Sequence, residues 1–376
     1  MLVIDKGSNP MFSGDLTMTL DTKGMQKGSD YLGRLLDRYT PGRMVKDSAS
    51  ASGGAFVQGE LEKPDFNLNE PLTSVTWPRD IPYETGGGFV DYTSNFFVDY
   101  GTAGANEYGL MSVDTNNLPT IQQNVTKDVY QVNRFGYIVK VPLIGQQRMQ
   151  MVGRSLDDIL QNGLRLNYDK MLDQNSYLGL PNIGTKGLVN QATSLDAASS
   201  TQVYLTYSPA NGTGSSRKWA DKSEDDILVD FNNVLNSVWA NAQYDDDGLP
   251  NHVGLPPAVF SNLLTRKVST AGNVSILNYL LDNNLAKSRG VDLQIVPMRQ
   301  LIDAGTALVS GETSSGRMVA YRNDKKRLQF DETVPLTRLI TQPSAEQVAY
   351  LSTYVASVGV LKIKYFQTIG YMDGIS

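Results

Sequence analysis

The final 60 residues of the sequence carry its strongest structural signals. Arg317-Met-Val-Ala-Tyr-Arg-Asn-Asp324 leads into Leu328-Gln-Phe-Asp-Glu-Thr-Val-Pro335, and a long apolar run separates these from Tyr371-Met-Asp-Gly-Ile-Ser376. β-Branched and aromatic residues recur in these segments, which favours strands over helices. The end of the sequence is therefore predicted to return through the fold as strands.

The same region contains one clear strand period and one ambiguous segment. Residues 361, 363 and 365 are apolar or aromatic and alternate with Lys362 and Lys364, which predicts a strand with one charged face. Residues 348–358 fit the helix and strand periods equally well, so the pattern alone does not decide their structure.

A long amphipathic helix is predicted for residues 146–178. Apolar residues recur there at the i, i+3, i+4 spacing that places them on one helical face. They are Val152, Leu156, Ile159, Leu160, Leu164, Tyr168, Met171 and Leu172. Gly179-Leu-Pro181 follows and predicts the end of the helix.

Residues 83–141 are predicted to form a long two-stranded excursion. Its strands are Phe89-Val-Asp-Tyr-Thr-Ser-Asn-Phe-Phe-Val-Asp-Tyr100 and Asp128-Val-Tyr-Gln-Val-Asn-Arg-Phe-Gly-Tyr-Ile-Val-Lys-Val141, separated by the Gly- and Asn-rich residues 101–119. Gly86-Gly-Gly88 indicates a hinge in front of them. A lone hairpin of this length is marginal in water unless it packs on something else, and another subunit is one candidate for that cover.

Residues 223–307 carry mixed helix and strand signals. Ser223-Glu-Asp-Asp226 has the spacing of a capping box, and Pro256-Pro257 suits a helix start. A further helix is expected near 274–285 and a short strand over 291–297. A helical stripe follows the capping box at Ile227, Phe231, Val234, Leu235 and Val238. Together these elements predict one small α/β domain.

The first 75 residues differ from the rest in composition. They are rich in Gly, Ser, Asp and Lys, with Ser48-Ala-Ser-Ala-Ser-Gly-Gly54 as a low-complexity joint. Such a segment buries little apolar surface by itself and is predicted to be an arm that orders against a neighbour.

Composition excludes several classes of protein. A chain of 376 residues with 40% hydrophobic residues supplies substantial cores, and the absence of cysteine excludes disulfides and thiolate chemistry. No apolar run is long enough for a membrane helix, and the start of the sequence lacks a signal-peptide pattern, so a cytoplasmic location is expected. The net charge of −6 and the scattered Lys and Arg residues give no support to specific nucleic-acid binding.

Three motifs resemble catalytic, metal-binding or phosphate-binding sites. His252, the only histidine, lies in a turn-rich segment without a second histidine, so it is expected to be structural or interfacial. Asp245-Asp-Asp-Gly248 lacks the spacing of a calcium loop and is expected to be solvated, with a weak cation site as the alternative. Gly311-Glu-Thr-Ser-Ser-Gly-Arg-Met318 lacks the Lys and Ser or Thr of a phosphate loop and is expected to be a turn. No catalytic, metal or cofactor site is predicted.

The element order and two motifs resemble the major capsid proteins of tailed bacteriophages. The motifs are Gly179-Leu-Pro-Asn-Ile-Gly-Thr-Lys-Gly-Leu-Val-Asn190 and the closing Asp-Gly-Ile, and the resemblance covers most of residues 60–376. It implies an α+β fold with five parts. They are an N-terminal arm (1–75), a strand and hairpin called the E-loop (76–142), a peripheral domain with a long spine helix (143–222), an α/β axial domain (223–311) and returning strands shared by both domains (312–376).

The resemblance implies a structural function without catalysis or cofactor. Many copies would form pentamers and hexamers of an icosahedral head that holds double-stranded DNA through non-specific contacts. Scaffolding, portal and decoration proteins are expected as partners, with assembly in the host cytoplasm and no membrane. An encapsulin-like compartment and a carboxylate-dependent hydrolase remain alternatives, the second of which predicts a monomer or small oligomer.

Aromatic residues in the presumed E-loop are the candidates for contact between subunits. In a generic protein such residues are ordinary strand residues, but a hairpin without a core of its own reverses that expectation. The sequence therefore predicts Phe96, Phe97 and Phe135 as inter-subunit packing residues.

Overall fold

The structure is a computed structural model that describes residues 71, 74–103, 118–151, 155–197, 199, 201–268, 273–308 and 315–376, with two short strands near the start of the chain. The chain divides into two compact units, Met1–Thr73 and Ser74–Ser376. In the first, β1 (Leu2–Val3) pairs antiparallel with β2 (Thr17–Met18). Almost all of the predicted arm, including residues 48–54, lies outside the described residues.

The second unit contains the remaining strands and the helices. Its strands are β3 (Tyr83–Thr85), β4 (Tyr92–Ala103), β5 (Thr120–Gln131), β6 (Asn133–Pro142), β7 (Thr193–Ser194), β8 (Val203–Tyr207), β9 (His252–Leu255), β10 (Gln294–Pro297), β11 (Arg317–Tyr321), β12 (Leu328–Ser344), β13 (Ala349–Ile363) and β14 (Ile369–Asp373). Its helices are α1 (Trp77–Asp80), α2 (Leu143–Met151), α3 (Leu156–Tyr177), α4 (Glu224–Asn241), α5 (Pro257–Thr265), α6 (Ile276–Asp282) and α7 (Leu285–Ser288).

A six-stranded sheet has the order β10-β9-β11-β14-β8-β7, and both of its faces are buried. Side chains alternate between the two faces of a strand, so β11 sends Met318 and Ala320 into one core and Val319 and Tyr321 into another. Helix α4 covers the first face with the predicted stripe from Ile227 to Val238. This sheet is therefore the middle layer of the unit.

Helix α4 lies directly on strand β14 at one glycine. A Cβ atom added to Gly370 would lie 2.4 Å from Cγ2 of Val238, closer than real carbon atoms approach. Glycine is therefore required by the close approach of helix to strand.

A four-stranded sheet has the order β3-β12-β13-β6, and it shares the second core with the six-stranded sheet. Phe330, Ala356 and Val358 from this sheet join Tyr168 and Tyr177 of α3 in that core. A smaller cluster packs Leu164 of α3 against β6 and β13. The long helix is thus held against the four-stranded sheet along its length.

The long helix predicted for residues 146–178 is interrupted. Helix α2 ends at Met151 and α3 begins at Leu156, while Val152, the first residue of the predicted stripe, lies outside the described residues. Ser155 caps α3 because its side chain accepts a hydrogen bond from the Asp158 amide at 3.3 Å. The helical period hid this boundary, which only the Ser-x-x-Asp spacing at residues 155–158 marks in the sequence.

The second predicted strand of the hairpin is also wrong in its bounds. Strand β5 begins at Thr120, eight residues before Asp128, and residues 128–141 belong to two strands that pair with different partners. Buried Val132 is the junction, where its amide donates to the Asp91 carbonyl at 3.0 Å. Residues 120–124 are polar except for Ile121 and gave no strand signal, because pairing with β4 and not burial holds them extended.

The returning strands are observed, with one correction. Of the undecided residues 348–358, all but Val348 belong to β13, which pairs with β12 on one side and β6 on the other. Lys362 does not face solvent as its alternation predicts; it is buried and forms an ion pair with Asp331 of β12. Tyr365 lies beyond the end of β13, so the strand period does not extend to it. An opposite charge on the neighbouring strand explains how a lysine occupies an interior position.

The α/β region agrees with the sequence in its main elements. The Ser223 side chain accepts from the Asp226 amide at 3.2 Å, as the capping box predicts, and Pro257 opens α5. The helix expected near residues 274–285 is shorter, ending at Asp282, and the strand expected over 291–297 starts at Gln294. No helix in the described part of the chain is long and apolar enough to cross a membrane.

Candidate functional site

Strands β4 and β5 form a two-stranded hairpin with one apolar face exposed to solvent. Residues paired across an antiparallel ladder point to the same side, so Val98 lies beside Val125 and Phe96 beside Lys127. The apolar residues on this face are each at least 46% exposed. They are Tyr92, Phe96, Val98, Tyr100, Ile121, Val125 and Val129. We call these seven residues the apolar hairpin face.

The opposite face of the hairpin is polar and is attached to the body of the unit at its base. The Phe97 ring meets the Tyr365 ring edge-on with centroids 5.7 Å apart. Tyr130 lies 5.7 Å from the Lys362 ammonium, in the geometry of a cation–π contact. Arg134 and Asp91 form an exposed ion pair at 2.6 Å beside the same base. These contacts hold the base of the polar face against the body of the unit, whereas the apolar hairpin face has no such cover in the described part of the chain.

The three predicted packing residues have different surroundings. Phe96 lies on the apolar hairpin face and is 66% exposed. Phe97 contacts Tyr365 of its own chain, and Phe135 of β6 packs against the second core of its own chain. The structure thus gives Phe97 and Phe135 intramolecular neighbours, and the inter-subunit function of all three stays a prediction.

The other six members of the apolar hairpin face were not selected from the sequence. A signal was present on β4, where Tyr92, Phe96, Val98 and Tyr100 share a period of two. On β5 the apolar residues are separated by Gln and Lys, and that strand was predicted to start too late. The apolar residues of β4 and β5 share one face only because of the cross-strand register, which cannot be derived from the sequence alone.

The chain enters the hairpin through three consecutive glycines with positive φ. Gly86, Gly87 and Gly88 have φ angles of +122°, +110° and +73°, a region that side-chain-bearing residues rarely adopt. The Gly86 amide donates to the Glu332 carbonyl at 3.1 Å, so the turn starts from a fixed point on β12. The predicted hinge position therefore has a backbone that only glycine adopts without strain.

Behind the hairpin, buried Asp80 joins four elements. Its carboxylate accepts hydrogen bonds from the Arg79 guanidinium at 2.6 and 2.9 Å and from the Tyr177 hydroxyl, and it lies 3.4 Å from His252 Nε2. The Tyr321 hydroxyl donates to the Asp80 carbonyl at 2.6 Å. Burial alone would raise the pKa of Asp80, but the hydrogen bonds from His252, Arg79 and Tyr177 hold it below its usual value.

The hydrogen bonds around Asp80 account for the buried position of His252, the only histidine in the sequence. His252 is the first residue of β9 and is buried, not part of a solvent-exposed loop. Burial, followed by the hydrogen bond to Asp80, raises the pKa of the Tyr177 hydroxyl, which therefore stays protonated as a donor. Because every polar group here is used by a neighbour in the fold, the arrangement is a structural clamp. Asp80 gave no sequence signal because, apart from the adjacent Arg79, its partners lie more than 90 residues away.

A second clamp fixes the end of the chain. The Arg317 guanidinium binds the Asp373 carboxylate through Nε at 2.7 Å and a second nitrogen at 2.9 Å, and it donates to the Val189 carbonyl at 2.8 Å. The motif containing Arg317 is thus the start of β11, while its residues 311–314 lie outside the described residues. The clamp connects β11, β14 and the segment after α3.

The acidic turn at residues 245–248 contacts arginines of its own chain. Asp245 lies 3.4 Å from Arg327, and Asp246 lies 3.4 Å from Arg289. Across the described ranges, no group of three or more His, Asp or Glu side chains is placed to hold a metal ion. The acidic turn is therefore tied to two arginines of its own chain.

Comparison with known proteins decides the family. The family model described as major capsid protein matches residues 107–375, which is most of the chain. The chain belongs to the major capsid protein family. As a member of that family it is a structural protein of a capsid shell, located in the virion capsid and assembled from many copies. The family assignment favours this function over the hydrolase alternative.

Solved capsid structures share the fold of this major capsid protein. The capsid of Myoviridae phage XM1 matches with a TM-score of 0.65 at 15% identity, covering 84% of this chain and 98% of that chain. The capsid of the empty GTA particle, computed with C5 symmetry, matches with a TM-score of 0.56 at 12% identity, covering 88% and 100%. No curated protein matches the chain. The predicted α+β capsid fold is therefore confirmed.

Proposed function

We propose that copies of this chain assemble as pentamers and hexamers into an icosahedral shell around double-stranded DNA. In this proposal the β4–β5 hairpin is the E-loop, and a neighbouring subunit covers the apolar hairpin face. The observation that carries the proposal is the exposure of seven apolar side chains on one side of a hairpin. Exposed apolar surface of this extent marks an interaction site, because leaving it in water is unfavourable.

The inner surface of such a shell needs weak contact with DNA. A strongly basic wall would bind the phosphate backbone through counterion release and hinder packing. The net charge of −6, with Lys and Arg spread along the sequence, supports non-specific contact. Scaffolding, portal and decoration proteins are proposed as further partners, with assembly in the host cytoplasm, and no enzymatic activity is proposed.

The proposed subunit consists of a peripheral domain, an axial domain and strands that both domains share. We propose residues 143–222, with α3, as the peripheral domain, residues 223–311 as the axial domain around the symmetry axes, and 312–376 as strands shared by both. The sharing has a structural counterpart, since β11 and β14 lie in the six-stranded sheet and β12 and β13 in the four-stranded sheet. Residues 1–75 are proposed as an arm that orders against a neighbour.

The experiment that tests this function is the mass of the purified full chain by light scattering, with electron microscopy of the same fraction. Rings of five or six subunits, or closed shells, are the expected result. A monomer that stays monomeric with a scaffolding partner present would contradict the proposal.

A further inference from the structure

A polar cavity lies between the base of the hairpin and the turn that connects β11 to β12. Its volume is about 610 Å³. Phe97 and Tyr365, the ring pair that attaches the hairpin, form part of its wall. Asn95 and Phe97 project into the cavity from the polar side of β4, and Phe96 of the apolar hairpin face also contributes to the lining. Whatever occupies it contacts the point where the hairpin joins the body.

The charged groups that line this cavity are mainly basic. Lys326, Arg327 and Lys364 are cationic, and Asp247 is the one acidic residue among the described lining residues. A cavity with excess positive charge attracts an anion, and the partly desolvated walls strengthen that attraction.

The cations retain capacity for a further partner. The Lys326 ammonium has no hydrogen-bond or ion-pair partner in the part of the chain that the structure describes. Arg327 stacks 4.7 Å over the Tyr365 ring and makes only a 3.4 Å contact to Asp245. Lys364 donates two hydrogen bonds of 2.8 Å, to the Lys325 carbonyl and to Gln329 Oε1, which leaves one ammonium hydrogen.

Two further observations indicate that the site lacks an acceptor. Burial, and then the nearby charge of Lys362, lowers the pKa of Lys364, while Asp331, Glu84 and Asp324 oppose this only in part. The half-buried Asn95 contributes its Nδ2 donor to the lining, where the Tyr130 hydroxyl is close to it but outside good hydrogen-bond geometry. A donor with so weak a contact, beside three cations, can bind an oxygen ligand.

We propose that this cavity binds an oxyanion, a carboxylate or a phosphate, between Lys326, Arg327 and the Asn95 amide. Arginine and lysine recognise both groups through charge-assisted hydrogen bonds. Binding at this place would link the hairpin base to the β11–β12 turn, so ligand occupancy controls how firmly the hairpin is attached.

Two sources can supply the oxyanion. In the sequence, residues 91–126 contain four acids (Asp91, Asp99, Glu107 and Asp114) and no Lys or Arg, so this segment of a second copy can supply a carboxylate. Free inorganic phosphate is the other source. The carboxylate source rests on the proposed shell assembly, and the phosphate source does not.

The first arm of the test uses unassembled full chain with inorganic phosphate and with glutarate as probes. Binding is measured by calorimetry, and hydrogen exchange is followed in peptides covering residues 92–103. The double variant Lys326→Gln/Arg327→Gln is expected to weaken binding roughly tenfold or more, because charge-assisted contacts are lost. The matched control, Lys325→Gln, removes an adjacent exposed charge outside the cavity and is expected to bind as the wild type does.

The second arm compares assembled shells with the same variants. If the ligand is a carboxylate of a second copy, Asp99→Asn/Glu107→Gln/Asp114→Gln weakens the shell and adds no further loss to the cavity variant. If the ligand is phosphate, added phosphate stabilises wild-type shells and the acid variants leave that effect unchanged.

The proposal is overturned if neither probe binds the unassembled chain and the cavity variant matches Lys325→Gln in shell stability. Equal binding of a probe by the wild type and the cavity variant also overturns it. Failure of the chain to assemble would contradict the proposed function alone, since the first arm still decides whether the cavity binds an oxyanion.

Discussion

Val98 and Val125 lie directly opposite each other on the hairpin, and 46% and 53% of their surfaces are open to solvent. A cross-strand valine pair is favourable in a sheet because the two side chains shield each other and pack on what lies above them. Here nothing in the described part of the chain lies above them. The pair is therefore the centre of a surface that a neighbouring subunit is expected to complete.

The first prediction compares adjacent residues on opposite faces of β5. Val125→Gln is expected to impair shell assembly, because a polar side chain then replaces buried apolar contact at the centre of the interface. Asn124→Gln introduces the same residue on the polar face and is expected to assemble normally. Assembly yield by sedimentation, with the unfolding midpoint of the unassembled chain as a check on folding, makes the comparison. Equal yields would contradict the assignment of the apolar face.

The second prediction concerns the attachment of the hairpin. Phe97→Ala is expected to increase hydrogen exchange in β4 and β5 while the six-stranded sheet keeps its protection, since the contact to Tyr365 holds only the hairpin base. A double-mutant cycle with Tyr365→Ala is expected to give a coupling of about 0.5–1.5 kcal/mol, the range for edge-on ring pairs. A coupling near zero would show that the hairpin is attached by other contacts.

The third prediction concerns the buried clamp at Asp80. Asp80→Asn is expected to lower the free energy of unfolding by about 1–3 kcal/mol, because the hydrogen bonds from Arg79 and Tyr177 lose their charged, buried acceptor. Asp282→Asn, at an exposed pair with Lys287, serves as the control and should change it by less than about 0.5 kcal/mol. Urea unfolding measures both.

The same clamp predicts a pH dependence. Because the pKa of Asp80 is lower in the folded state than in the unfolded state, its contribution is present above the unfolded value, about 3.9. The contribution is lost as the pH falls through the folded value. The wild type should therefore lose more stability below about pH 4 than Asp80→Asn does. If the free energy of unfolding fell equally with pH in the two proteins, the result would contradict a lowered pKa of Asp80 in the folded state.

The fourth prediction uses two glycines with opposite surroundings. Gly370→Ala places a methyl group against Val238 and is expected to destabilise the fold by about 1–3 kcal/mol. Gly163→Ala lies inside α3 with no atom within 4 Å of the added Cβ, and is expected to stabilise it by up to about 1 kcal/mol. Thermal unfolding distinguishes the two signs, and a stabilising Gly370→Ala would contradict the close packing of α4 on β14.

The parts of the fold that sequence predicted share a local cause. The stripe of α4 and its cap at Ser223 depend on residues within a few turns of one another, and both are observed. The break before α3 was missed although its cap at Ser155 is local. The other errors depend on distant partners: strand β5 is extended because it pairs with β4, and Lys362 is buried because Asp331 is opposite it. The segment left undecided by its pattern is a strand because it lies between β12 and β6.

The residues of the candidate interface could also be predicted only in part from local sequence patterns. Aromatic composition indicated the hairpin and selected Phe96, but it also selected Phe97 and Phe135, which have neighbours within their own chain. Only the register of the two strands separates an outward side chain from an inward one, since a shift of one residue exchanges the faces. The cavity and the Asp80 clamp assemble residues from distant segments and had no local signal.

The most direct test of the central claim uses the absence of cysteine from the chain. Single thiols introduced by Val98→Cys on the apolar hairpin face and by Gln122→Cys on the polar face can be labelled before and after shell assembly. Because a neighbouring subunit would cover residue 98, we expect assembly to slow the labelling rate at position 98 by roughly tenfold or more. The labelling rate at position 122 is expected to fall much less. Equal labelling of position 98 in unassembled chains and in shells would contradict the claim that a neighbouring subunit covers this face.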